Sequence, residues 1–74
     1  MINEVMFTDI DSCNTNVTTK SGGVIGCVVR EENVFYTAYR SHWNSDIRKM
    51  VYSSISTCCD KMEAIAEVAN SYNR

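Results

Sequence analysis

The stretch from Asp46 to Tyr72 limits the possible folds more than any other, because no Gly or Pro interrupts it. At about 100° per residue, Ile47, Met50, Val51, Ile55, Cys58, Met62, Ile65, Val68, Ala69 and Tyr72 share one side. Lys49, Ser53, Ser56, Asp60, Glu63 and Glu67 take the other side. One register accounts for the whole run and predicts a single amphipathic helix over about 46–72. Asn44 or Ser45 suits its N-cap, and Asp46 suits the positive helix start. A rival reading makes Met50 to Ser56 a strand, followed by a shorter helix capped by Thr57, with Asp60 completing a capping box. Ser, Thr and Val are poor helix formers, which is its main support. The unbroken apolar phase favours the long helix.

Upstream, two β-rich runs, Val24–Arg30 and Val34–Arg40, flank Glu31-Glu32-Asn33 and predict a hairpin. Asn33 tolerates the left-handed conformation that closes a three-residue loop. That register pairs Val29 with Phe35, Cys27 with Thr37 and Ile25 with Tyr39, and it gives one largely apolar face. The expected core joins Ile25, Val29 and Phe35 of this face to Met62 and Ile65 of the helix. Residues 3–10 suit a short strand, and the Ser-, Asn- and Thr-rich Asp11 to Gly23 reads as a loop. The expected architecture is a single α+β domain over 1–74. A small antiparallel sheet, made of the N-terminal strand and the 24–40 hairpin, packs on one long C-terminal helix.

With 74 residues, 45% hydrophobic and 22% charged, the composition is that of one small globular domain. A net charge of −2 argues against a dedicated nucleic-acid coat, which needs a basic excess, and against an acidic DNA mimic. No apolar run approaches the roughly 20 residues that span a bilayer. Met1-Ile2-Asn3-Glu4 lacks the basic start of a secretory signal, so a cytoplasmic location is expected. There the sequon Asn16-Val17-Thr18 carries no meaning. Cys13, Cys27, Cys58 and Cys59 lack paired ligand spacing for zinc, and adjacent Cys58 and Cys59 cannot easily bond each other. Cys27 and Cys58 read as small buried apolar residues in a reducing compartment.

Catalysis finds little support. His42 has Ser41 and Ser45 beside it in sequence, which is not a triad. Asp60, Glu63 and Glu67 form a solvated stripe. Lys20-Ser21-Gly22-Gly23 lacks the full phosphate-loop pattern. No cofactor or metal is expected, and the chain reads as non-enzymatic.

Binding is the better expectation. Tyr36, Arg40, His42, Trp43, Arg48 and Lys49 form a mixed aromatic and basic group at the junction of hairpin and helix. Trp, Tyr and Arg are the residue types that dominate binding hot spots. A helix over 46–72 would be about 40 Å long, against about 23–30 Å for the hairpin strands. The overhanging stripe, Met50, Val51, Ile55 and Cys58, is therefore a candidate self-association surface in a homodimer. The expected function is a protein-binding module that covers a surface on a larger host protein or complex. In size and makeup, though by no motif, the chain looks like small phage-encoded inhibitors of host defence, including anti-CRISPR proteins. The alternative is a nucleic-acid-binding module that stacks bases on Tyr36, Tyr39 and Trp43, with Arg40, Arg48 and Lys49 on phosphates.

Overall fold

The computed structural model describes residues 5–72. Five strands run β1 (Val5–Asp9), β2 (Asn14–Thr19), β3 (Val24–Glu31), β4 (Phe35–Asn44) and β5 (Lys49–Cys58), followed by helix α1 (Lys61–Tyr72). The strands form one antiparallel meander in chain order, β1-β2-β3-β4-β5. The helix covers one face and packs mainly on β3, β4 and β5. The fold is α+β, with more strand and less helix than the sequence suggests.

The long helix over 46–72 is overturned. Residues 49–58 are strand, and the helix is the shorter one of the rival reading. It starts later than a Thr57 cap would place it. Asp60 precedes Lys61, and its carbonyl accepts the first helical bond from Ala64 N at 3.1 Å. Asp60 with Glu63 has the spacing of a capping pair. The expected loop 11–23 contains β2, because Thr15, Val17 and Thr19 alternate onto the helix-covered face. The expected first strand holds over Val5–Asp9, and residues 3 and 4 lie outside the described residues.

The β3–β4 hairpin forms two residues out of the expected register. Its loop is Glu32-Asn33-Val34, with Glu31 opposite Phe35 and Val29 opposite Thr37. Glu32 and Asn33 both have positive φ, 53° and 57°. A two-residue shift keeps side chains on their faces. Except at Ile25, which the β2–β3 bulge between Gly26 and Val24 turns into the core, the expected grouping of faces survives. The face that meets the helix does not. Gly26, Val28, Tyr36, Ala38 and Arg40 face α1, while Cys27, Val29, Phe35, Thr37 and Tyr39 occupy the uncovered face. Small residues decide this. Gly26 and Ala38 let the backbone of α1 approach, and α1 answers with Ala64, Ile65, Val68 and Ala69. The core is Val17, Ile25, Val28, Ala38, Cys58, Ala64, Ile65 and Val68. Of the expected core, Ile25 and Ile65 belong to it. Val29 and Phe35 are half-buried on the far face, and Met62 is 54% exposed.

Candidate binding surface

Strands β4 and β5 run on past the start of β3, whose pairing with β4 begins at Gly26–Arg40. Residues 43–50 thus form a two-stranded arm. Its loop is held by Asn44, whose side-chain oxygen accepts from the N–H groups of Asp46 (2.9 Å) and Ile47 (3.3 Å). Arg48 closes the turn with φ 54°, which re-aims the chain into β5. Ile47, at the tip, is exposed.

Trp43 pairs with Met50 across this arm, and Ser41 pairs with Tyr52. Alternation places Trp43, Met50 and Tyr52 together on the helix-free face. They are 60%, 40% and 46% exposed, respectively. Further along that face lie half-buried Tyr39, Phe35, Cys27 and Val29. Two small polar residues there, Thr37 and Ser41, are buried and satisfied. Thr37 donates to the Glu31 carboxylate, and Ser41 Oγ donates to the Val24 carbonyl at 3.1 Å. Burial pushes the Cys27 thiol pKa up.

The six residues expected to bind a partner are divided by the sheet. Trp43 is on the open face, whereas His42 and Lys49 are exposed toward the helix side and Arg48 sits in the turn. Arg40 serves the fold: its Nη1 donates to the Ser71 carbonyl at 2.7 Å and to Ser71 Oγ at 3.2 Å, and its guanidinium lies 5.5 Å from the Tyr72 ring centre. Tyr36 packs against the core and lines a small cavity with Arg30 and Lys61, seven positions along β4 from Trp43. The four self-association residues do not form a stripe, because the helix that would align them is β5. Met50 is on the open face, Val51 on the covered face, Ile55 at a bulge and Cys58 in the core. Sequence reasoning missed Met50 and Tyr52 as partners of Trp43. The signal was the alternation Met50, Tyr52, Ser54, which holds until the bulge.

The opposite corner of the sheet is polar. Lys61 Nζ lies 2.5 Å from Asp9 Oδ1 and over the Phe7 ring, and Thr15 Oγ1 donates to the same Asp9 oxygen at 2.7 Å. These bonds hold the Asp9 carboxyl below its ordinary pKa, Lys61 contributing most. Asp11 is lowered likewise, by the Cys13 backbone N–H first and then by the Asn14 side chain. Among the described residues, no three His, Cys, Asp or Glu side chains converge as metal ligands, and no helix is long and apolar enough to cross a membrane. All four cysteines are free thiols. Comparison with protein-family models, curated proteins and solved structures returned no match.

Proposed function

We propose that the protein is a non-enzymatic binding module that covers a surface on a larger protein, using the helix-free face of the β4–β5 arm. The observation that carries this reading is the contiguous exposure of Trp43, Met50 and Tyr52. Single exposed apolar residues are ordinary, but a contiguous group on a projecting arm is characteristic of interaction sites. Trp and Tyr bury large areas at low entropic cost, and Met adapts to an irregular partner. An inhibitor of host-defence machinery, the kind that size and makeup bring to mind, is one instance of this mode of action.

The nucleic-acid reading is weaker on two counts. Arg40 is engaged by Ser71 and Tyr72. Lys49 lies on the opposite face from Trp43 and Arg48 sits in the turn, so among the described residues the arm does not line up stacking and phosphate contacts on one face.

The test is affinity capture from host lysate with wild type, Trp43→Ala and Met62→Ala. Met62 is exposed on the helix, away from the arm. The expected result is a protein captured by wild type and by Met62→Ala but lost with Trp43→Ala. Retention of oligonucleotide without protein would overturn the reading in favour of nucleic acid. Equal capture by all three would remove the arm as the site.

A further inference from the structure

The two edges of the sheet are unlike. β1 is a five-residue strand whose last residue, Asp9, is tied to Lys61. β5 is twice as long and lies at the other end of the strand order, with no strand among the described residues on its outer side. An edge of this length presents a row of unpaired backbone N–H and C=O groups. The usual devices against pairing are sparse here. From Met50 to Cys59 there is no charge, and the chain has no Pro. The one device is the bulge at Ile55, where Ser54 pairs with Tyr39 and Ser56 with Ala38. It leaves Lys49–Ser54 as an unbroken edge.

Beyond the bulge, Ile55 and Ser56 of β5 and Glu67 and Ser71 of α1 line a groove beside this edge. Glu67 is half-buried there, and among the described residues no cation pairs with it. A strand added to β5 would run along this groove, and a cation on its helix-side face would meet Glu67.

We propose that the β5 edge pairs antiparallel with β5 of a second copy of this chain, about a two-fold axis through Tyr52. Lys49 of the partner subunit then enters the groove beside Glu67. The chain itself supplies this occupant. In an antiparallel pair related by a two-fold axis, facing residues must share a face, so the axis passes through a residue rather than between two. With Tyr52 on the axis, Val51 faces Ser53 of the partner subunit, and Met50 faces Ser54 of the partner subunit. Lys49 reaches the bulge at Ile55 and Ser56, where Glu67 lies. The groove is filled twice, once by each copy, and no like charges oppose. On the helix-free face Tyr52 meets Tyr52 of the partner subunit, and aromatic cross-strand pairs stabilise sheets. The two sheets become one of ten strands, with both helices on the same side. This pairing rests on the edge strand, not on a helical stripe, and it involves the purified chain alone. It therefore stands or falls separately from the binding of another protein.

The test is sedimentation equilibrium on the purified chain over a wide concentration range. Wild type is expected to approach the mass of two chains. Lys49→Glu and Glu67→Lys each place like charges in the groove and should weaken the dimer by about tenfold. The double variant Lys49→Glu/Glu67→Lys should recover wild-type affinity. Tyr52→Lys sets two lysines face to face on the axis and should give a folded single chain by circular dichroism; it also keeps the proposal testable if a groove variant fails to fold. A wild-type mass of one chain throughout overturns the proposal, as does a dimer indifferent to all these changes. A double variant no better than either single reversal overturns the Lys49–Glu67 register.

Discussion

Gly26 of β3 lies directly beneath Val68 of α1, so close that a Cβ on Gly26 would sit 2.6 Å from Val68 Cγ1. The same Cβ would run into the Tyr39 carbonyl oxygen on the neighbouring strand. One of these obstacles is backbone, so the clash cannot be relieved by a rotamer change. Gly26→Ala should therefore destabilise the protein by about 1–3 kcal/mol, the usual range for overpacking. In a chain of this size that lowers Tm by at least about 4 °C per kcal/mol, readable in a thermal melt. Gly23, where a Cβ would make only ordinary contact with Thr19 Oγ1 at 3.5 Å, provides the control.

Val28 and Val29 are adjacent in sequence and on opposite faces of the sheet. Val28 is buried under α1, and Val29 is half-buried on the uncovered face. Val28→Ala should cost about 2 kcal/mol and Val29→Ala less than about 1 kcal/mol, measured by urea unfolding. The reverse order would mean that the helix packs on the other face. Phe35→Ala, on the Val29 side, should likewise fall short of the roughly 3–5 kcal/mol of a fully buried Phe.

Arg40 clamps the end of α1 by donating to the Ser71 carbonyl, one of the last carbonyls without a helical partner. Arg40→Ala should cost about 1–2 kcal/mol, since the bond is charge-assisted. Amide exchange should quicken in the last turn of α1 while the β2–β3 ladder stays protected.

Asp9 has its pKa lowered by Lys61 and Thr15, so its stabilising contribution is complete above the ordinary carboxylate range. As pH falls through the depressed folded-state value, protonation removes that contribution, and stability drops on the acid side. Asp9→Asn removes this titration, so its stability should vary less over the same window. Parallel thermal melts from neutral pH downward compare the two proteins.

The four free thiols make the fold independent of redox conditions. Adding reductant should leave Tm unchanged. A thiol reagent should label exposed Cys13 and Cys59 quickly in the native state, and buried Cys58 only after unfolding.

The strands were legible where turn chemistry and alternation agree. Val24–Arg40 has both, and its hairpin is present, displaced by two residues because Glu32 as well as Asn33 adopts positive φ. Met50–Cys58 reads as helix for a physical reason. Its apolar residues Met50, Val51, Ile55 and Cys58 fall at spacings of one, four and three, in phase with the true helix at Met62 and Ile65. In the strand they are split, with Met50 on the open face, Val51 and Cys58 on the covered one and Ile55 at the bulge. The low helix propensity of Ser53, Ser54, Ser56 and Thr57 was the contrary signal. β2 hid behind polar composition, since Thr15 is buried opposite Val28 with its hydroxyl satisfied by Asp9. The choice of core face turned on Gly26 and Ala38, whose value lies in being small, and a hydrophobic pattern does not register that. Trp43 as a candidate for binding is within reach of residue type alone. Its companions Met50 and Tyr52 required the β4–β5 pairing.

The order of elements also has a consequence at the ribosome. Each strand of the meander pairs with the one made just before it, so the sheet can assemble as it emerges. The cover for its apolar face is α1, twelve residues that follow all five strands. Until those residues dock, Val17, Val28 and Ala38 are open to solvent. Before docking, the sheet is a sticky plate with an unguarded rim, and a chaperone that holds exposed strands would find its client there rather than in the finished protein.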